Sequence, residues 1–125
     1  MMQLFQTEWC PSSRRVRQRL TELGVDYVVR QVPVVKSARQ ALMDASGSDS
    51  IPALVLDDGT AVTGEIAIRA YLGEHFAEPR GAEEQRAKAE FIRSRECSEG
   101  LPEREPSAPP MPLPTRHSPR LIRNT

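Results

Sequence analysis

The chain has 125 residues, room for one ordinary domain, and its seventeen basic and seventeen acidic side chains cancel to a formal charge of zero. A neutral chain exerts no field that draws nucleic acid or an anionic membrane to it as a whole. No apolar run reaches the roughly 18 residues that cross a bilayer, and Met1-Met2-Gln3-Leu4-Phe5 lacks the basic-then-apolar plan of a secretion signal. The expectation is a soluble cytoplasmic protein without nucleic-acid or membrane partners. Two cysteines and two histidines are too few and too scattered for a disulfide framework or a metal cluster, so no metal is expected.

In chain order, Gln3 to Gln6 reads as a short apolar strand. Pro11 to Leu23 reads as a helix with Val16, Leu20 and Leu23 on one face, and Gly24 supplies its left-handed stop. Asp26 to Val35 is rich in β-branched residues and suits a largely buried strand, although Pro33 argues for its ending or lying at an edge. Ser37 to Ala45 reads as a short helix with Ser37 at the N-cap and Ala41 and Leu42 facing inward. Ile51 to Leu56, the turn Asp57-Asp58-Gly59-Thr60 and Ala61 to Thr63 form a hairpin, because Asp-Gly accepts the positive φ that a tight hairpin turn demands. Glu65 to Phe76 closes the unit as a helix burying Ile68 and Leu72, helped by Ala67 and Tyr71. The order is βαβαββα. A β-α-β crossover is right-handed and makes parallel neighbours, and the hairpin adds antiparallel strands. The predicted fold class is therefore α/β, with a mixed four-stranded sheet and helices on both faces.

Beyond Pro79 the composition changes. Gly81 to Glu99 is an Arg/Glu-laced helical segment with few apolar residues, and seven of the eleven prolines lie between Pro102 and Pro119. Too little apolar surface is available there to offset the entropy of ordering the chain. The expected organisation is a folded domain over 1–79, a charged helical extension over 80–100 and a disordered proline-rich tail over 101–125.

The chemistry concentrates at Trp9-Cys10-Pro11-Ser12-Ser13, where the first strand gives way to the first helix. A thiol at a helix N-terminus faces unpaired N–H groups and the positive end of the dipole, both of which favour the thiolate, the nucleophilic form. Pro11 suits the first helical position, where a missing N–H costs nothing. The hydroxyls of Ser12 and Ser13 are within reach of the sulfur, and Arg14 and Arg15 add positive potential. The alternative is an inert cysteine filling a gap beside a tryptophan. Trp9 itself either shields the thiol and stacks on a substrate or packs over the sheet edge. His75 and His117 are expected to face solvent.

Taken together, Cys10-Pro11-Ser12-Ser13 before the first helix, Ile51-Pro52 before the hairpin, and Thr63-Gly64-Glu65-Ile66-Ala67-Ile68 with Tyr71-Leu72 at the last helix resemble the glutaredoxin family and the N-terminal domain of glutathione S-transferases. The resemblance covers residues 3 to about 76 and implies the thioredoxin fold. It implies that Pro52 is cis and lies beside Cys10, that the backbone of Ile51 pairs with the cysteinyl part of glutathione, and that Gly64 and Glu65 meet the γ-glutamyl end. It makes Cys10 and Ser13 the catalytic pair, with Trp9, Pro11, Ser12, Ile51, Pro52, Gly64 and Glu65 around the substrate. Ser13 stands where a dithiol glutaredoxin has its second cysteine. A serine cannot resolve a mixed disulfide, so a second small thiol must do so. Cys97 is incidental or, less simply, a resolving thiol that swings back.

The sequence departs from the family at Thr7, where glutaredoxins usually carry a lysine that grips a glutathione carboxylate, and at Glu65, whose charge would repel that carboxylate. Arg39 or Gln40 either replaces the lysine or belongs to a solvated helix face. Two functions follow. One is a small monothiol glutaredoxin-like thiol-disulfide oxidoreductase, with glutathione or another low-molecular-weight thiol as co-substrate and protein mixed disulfides as partners. The other is a non-catalytic thioredoxin-fold binding module that uses its tail to dock. Iron–sulfur carriage is a third reading, disfavoured because Pro11-Ser12 stands where cluster-bearing relatives have Gly-Phe. The oligomeric state is left open.

Overall fold

A computed structural model of the chain describes residues 1–99, with side chains through 96. Four strands, β1 (Gln3–Gln6), β2 (Val28–Gln31), β3 (Ala53–Val55) and β4 (Ala61–Thr63), form one sheet in the order β2-β1-β3-β4. The β1–β2 pair is parallel, and the β1–β3 and β3–β4 pairs are antiparallel. Helices α1 (Pro11–Leu23), α2 (Gln40–Ser46), α3 (Glu65–His75) and α4 (Ala82–Glu99) complete the order. By contacts the chain divides into units 1–94 and 95–125. Of the second, only the end of α4 lies among the described residues. The proline-rich tail and His117 lie outside them, as does the side chain of Cys97.

Alternation along the strands sorts the core into two layers. Leu4 and Leu54, opposite each other across the β1–β3 ladder, join Val16 and Leu20 of α1 and Ile68 and Leu72 of α3 on one face. Phe5 and Ala53, one residue along, join Val32 and Leu42 of α2 on the other. The helices thus lie on both faces of the sheet, α1 and α3 together and α2 opposite. Gly24 caps α1 at φ 68°, where its N–H reaches the carbonyls of Leu20 and Thr21. An L side chain would be strained at that angle.

The chain corrects the sequence reading in four places. The second strand is shorter than expected and not largely buried: all four residues are exposed, at the sheet edge for which Pro33 argued. Charge and proline manage that edge: Arg30 lies over the Phe5 ring with its guanidinium carbon 4.8 Å from the centroid, and Pro33, which has no N–H to give a ladder, follows just beyond. Ser37 does not cap α2. It sits inside a single 3-10 turn, Lys36–Ala38, and Arg39 occupies the cap position. Ala41 and Ala67 are exposed, leaving Leu42, Ile68 and Leu72 as the inward anchors of their helices. The hairpin strand begins at Ala53, two residues after the expected Ile51.

Arg39 is 4 % exposed and therefore does not lie on a solvated helix face. Its guanidinium donates to the carbonyls of Pro33 at 2.7 Å, Asp49 at 2.8 Å and Val34 at 3.1 Å. A buried cation is tolerable only with its donors satisfied, and here it ties the loop after β2 to the loop that leads into Ile51-Pro52.

Candidate active site

Sheet topology brings three segments to one end of the sheet. β1 runs out at Gln6 toward Cys10. Ala53 pairs with Phe5 and with Thr63, so Pro52 enters and Gly64 leaves at that same end. The Gly64 N–H donates to the Pro52 carbonyl at 2.8 Å, locking these two segments together. The Ile51-Pro52 bond is cis, as the resemblance implies. Gly64 holds φ 96°, ψ 147° at the N-cap of α3, a backbone conformation that L side chains rarely adopt.

Cys10 is itself the N-cap of α1, and its Sγ accepts from the Ser13 N–H at 3.4 Å. It is partly accessible, and its thiol is free. Partial burial pushes its pKa up, but the Ser13 hydroxyl, the backbone N–H groups of Ser13 and Ser12 and the charge of Arg15 together outweigh burial, so the net direction is downward. Ser13 is fully buried and also accepts the Thr7 N–H at 3.4 Å. Its hydroxyl therefore joins the end of β1 to the sulfur. The two serines diverge: the Ser12 hydroxyl turns to the Glu65 carboxylate, while its backbone serves the thiol.

Glu65 does not intrude as a bare charge. Arg15 Nε donates to it at 2.8 Å and Arg69, one turn along α3, at 3.4 Å. Arg15, burial of the carboxylate, Ser12 and Arg69 all act on it, and the hydrogen bonds outweigh burial to hold its pKa below the usual carboxylate range. The Glu65–Arg69 spacing was legible as a favourable i,i+4 pair. Arg15, fifty positions away, was not. A cavity of about 520 Å³ is lined by Ser12, Thr63, Gly64, Glu65, Ile66, Ala67 and Ala70. It contains the expected Gly64-Glu65 wall and a Ser12 wall that belongs to the cysteine loop.

The remaining residues are placed as follows. Trp9 is 60 % exposed, so it packs over no sheet edge and stays open to a ligand or solvent. Pro11 occupies the first turn of α1 and is exposed, Ile51 is half-buried and Pro52 is buried. Thr7 is buried, with its Oγ1 lacking a hydrogen-bond partner among the described residues, while Glu8 pairs with Arg17 at 3.2 Å. Gln40 is exposed and pairs with Asp44. His75 is exposed, and its ring stacks on Tyr71 with centroids 4.0 Å apart. Among the described residues no group of three or more His, Cys, Asp and Glu side chains is placed to hold a metal ion, and no helix is long and apolar enough to cross a membrane.

Residues 2–61 match the glutaredoxin family. Over that stretch the chain resembles a glutaredoxin domain. Among solved structures, the chain is similar to a glutathione S-transferase from Sinorhizobium meliloti 1021, at 25 % identity and a TM-score of 0.56 over 78 % of this chain and 47 % of that one. It is similar to a glutathione S-transferase from Rhodospirillum rubrum F11, at 27 % identity and TM-score 0.54 over 78 % and 47 %. A glutathione S-transferase domain-containing protein from Marinobacter aquaeolei VT8 matches at 28 % and TM-score 0.53 over 74 % and 50 %. The chain thus spans about half the length of these relatives. No curated protein matches it by sequence. The glutaredoxin-like domain has the thioredoxin fold of families that use glutathione, and its function is thiol-related.

Proposed function

We propose that the protein is a monothiol glutaredoxin-like thiol-disulfide oxidoreductase acting on mixed disulfides between proteins and glutathione or another low-molecular-weight thiol. The observation that carries this reading is the pairing of an accessible, N-capping Cys10 with a buried Ser13 where a resolving cysteine would stand. In the first step the Cys10 thiolate attacks the glutathione sulfur of the mixed disulfide. The Cys10–glutathione disulfide forms, the old S–S bond breaks, and the protein thiolate leaves and takes a proton from solvent. In the second step a glutathione thiolate attacks the sulfur of the bound glutathione, releasing oxidised glutathione and restoring the Cys10 thiolate. The protein cysteine is reduced and one free glutathione is oxidised, leaving in a disulfide with the glutathione that the substrate carried.

The residues around Cys10 each have a part in this scheme. Ser13, the Ser12 N–H and Arg15 stabilise the thiolate both as nucleophile and as leaving group. Ile51 and Pro52 orient the small thiol, and its γ-glutamyl end sits against Gly64 and Glu65. The carboxylate of Glu65 accepts from the ammonium there, while Arg15 and Arg69 offset the charge that would otherwise repel the neighbouring carboxylate. Trp9 and Pro11 form the exposed rim. The proposed setting is the reducing cytoplasm, where a pool of small thiols turns the cycle over. The folded unit is proposed as 1–79, extended by the charged helix over 80–100. The reading in which the chain is a non-catalytic docking module depends on the tail, which lies outside the described residues.

The test is reduction of a glutathione mixed disulfide, with glutathione as the only reductant, by wild type and by Cys10→Ser. The expected result is turnover in wild type and none in the variant. Equal rates in both would remove the enzymatic reading.

A further inference from the structure

A second and larger cavity, of about 740 Å³, lies against α1, α3 and α4 and is lined by six arginines and two glutamates. Two of the arginines, Arg19 and Arg86, are fixed by the two glutamates: Glu78 accepts from both, at 2.7 and 2.6 Å, and Glu22 accepts from them at 2.9 and 3.3 Å. Arg15 and Arg69 are fixed by Glu65. The last two, Arg14 on α1 and Arg93 on α4, have no acidic partner among the described residues. The acids therefore order the cavity wall without cancelling it, and its lining keeps a surplus of positive charge. Its size is that of a ligand site, and guanidinium groups are the side chains best shaped for carboxylates.

The position of this cavity relates it to Cys10. Arg15 lines it and is felt electrostatically at Cys10, and Ala70 borders both it and the cavity beside Ser12 and Glu65. A substrate whose disulfide is presented to Cys10 has its neighbouring residues within reach of the arginines. We propose that this cleft binds an acidic peptide segment, flanking the disulfide cysteine of the protein substrate, through carboxylates placed against Arg14 and Arg93. The proposal rests on the oxidoreductase reading and names the substrate class that reading leaves open. Cations spread from one helix to another suit several carboxylates along a chain better than a single phosphate held at one point. The chain's own C-terminal 25 residues are the wrong complement, since they carry four arginines against two glutamates.

The experiment is calorimetric titration of the full chain with an oligoglutamate peptide, its glutamine counterpart and inorganic phosphate. We expect oligoglutamate to bind, with affinity falling steeply between about 50 and about 200 mM salt, and the glutamine peptide to be silent. The double variant Arg14→Gln/Arg93→Gln should weaken binding at least about tenfold. Lys88→Gln, which removes a cation of α4 outside the cleft lining, should not. Equal binding of the two peptides, or equal weakening by Lys88→Gln, overturns the site. Binding of phosphate without oligoglutamate overturns the peptide assignment. The titration needs no thiol, so Cys10→Ser is titrated in parallel. Binding retained in Cys10→Ser shows that the cleft works without the thiol, and binding by a wild-type chain that shows no turnover would sink the redox reading and leave the cleft standing.

Discussion

Ser13 serves two neighbours with one hydroxyl, donating toward Cys10 and accepting the Thr7 N–H. Ser13→Ala removes both bonds in a fully buried position. Leaving the Thr7 N–H without its acceptor costs about 1–3 kcal/mol of stability, and the thiol loses a donor that favours its ionised form. The expected outcome is a lower unfolding midpoint in urea together with an upward shift in the pH midpoint of Cys10 alkylation. A drop in stability with no shift of that midpoint would show that Ser13 supports the loop and not the sulfur. Arg39 is the other residue whose role only the fold discloses. Arg39→Ala leaves three carbonyls of two loops without their donor, and an unfolding loss of about 2–4 kcal/mol is expected. At this scale the Cys-Pro-Ser-Ser run was readable because strand end, helix start and proline coincide at one position. Arg39 was not, because its three acceptors are main-chain atoms that carry no side-chain signature. Nor was the Arg15–Glu65 pair, whose members meet only once α1 and α3 lie side by side.

Helix α1 carries its apolar stripe inward and its acid-and-base stripe outward, and each stripe supports a different prediction. Leu20 is fully buried among Leu4, Val16, Leu54 and Leu72. Leu20→Ala should cost about 2–5 kcal/mol, read from denaturant unfolding. On the outer face Glu22 staples α1 to the start of α4, where Ala82 is buried and Arg86 reaches across at 3.3 Å. Burial raises the Glu22 pKa, but Gln18, Arg19 and Arg86 lower it further than burial raises it. A carboxylate depressed in the folded chain stabilises it fully above the unfolded value of about 4.3, and that stabilisation is lost as pH falls through the lower native value. Glu22→Gln should therefore flatten the acid limb of the stability–pH curve and lower stability at neutral pH. An unchanged acid limb would show that the staple is not coupled to folding. Strand and helix types were legible from period and turn chemistry. The exposure of β2 was legible only through Pro33, because the β-branched run itself reads the same at a sheet's centre and at its edge until the strand order is known.

In the whole molecule, the thioredoxin fold gathers the ends of three segments distant in sequence at one end of the sheet. It also leaves an arginine-lined cleft alongside. The formal charge of zero conceals that local field, which depends on which charges share a surface and not on their sum. The cysteine loop, the Ile51-Pro52 turn and the Gly64-Glu65 cap could be assembled from sequence because each carries its own backbone signal. The cleft depends on helix packing and had none.

The most direct measurement follows the ultraviolet absorbance of the Cys10 thiolate through a pH titration, with Cys10→Ser as the blank. A midpoint clearly below the ordinary thiol value of about 8.5 is predicted. A midpoint at or above that value would contradict the account, because the helix end, Ser13 and Arg15 would then fail to hold the sulfur ionised.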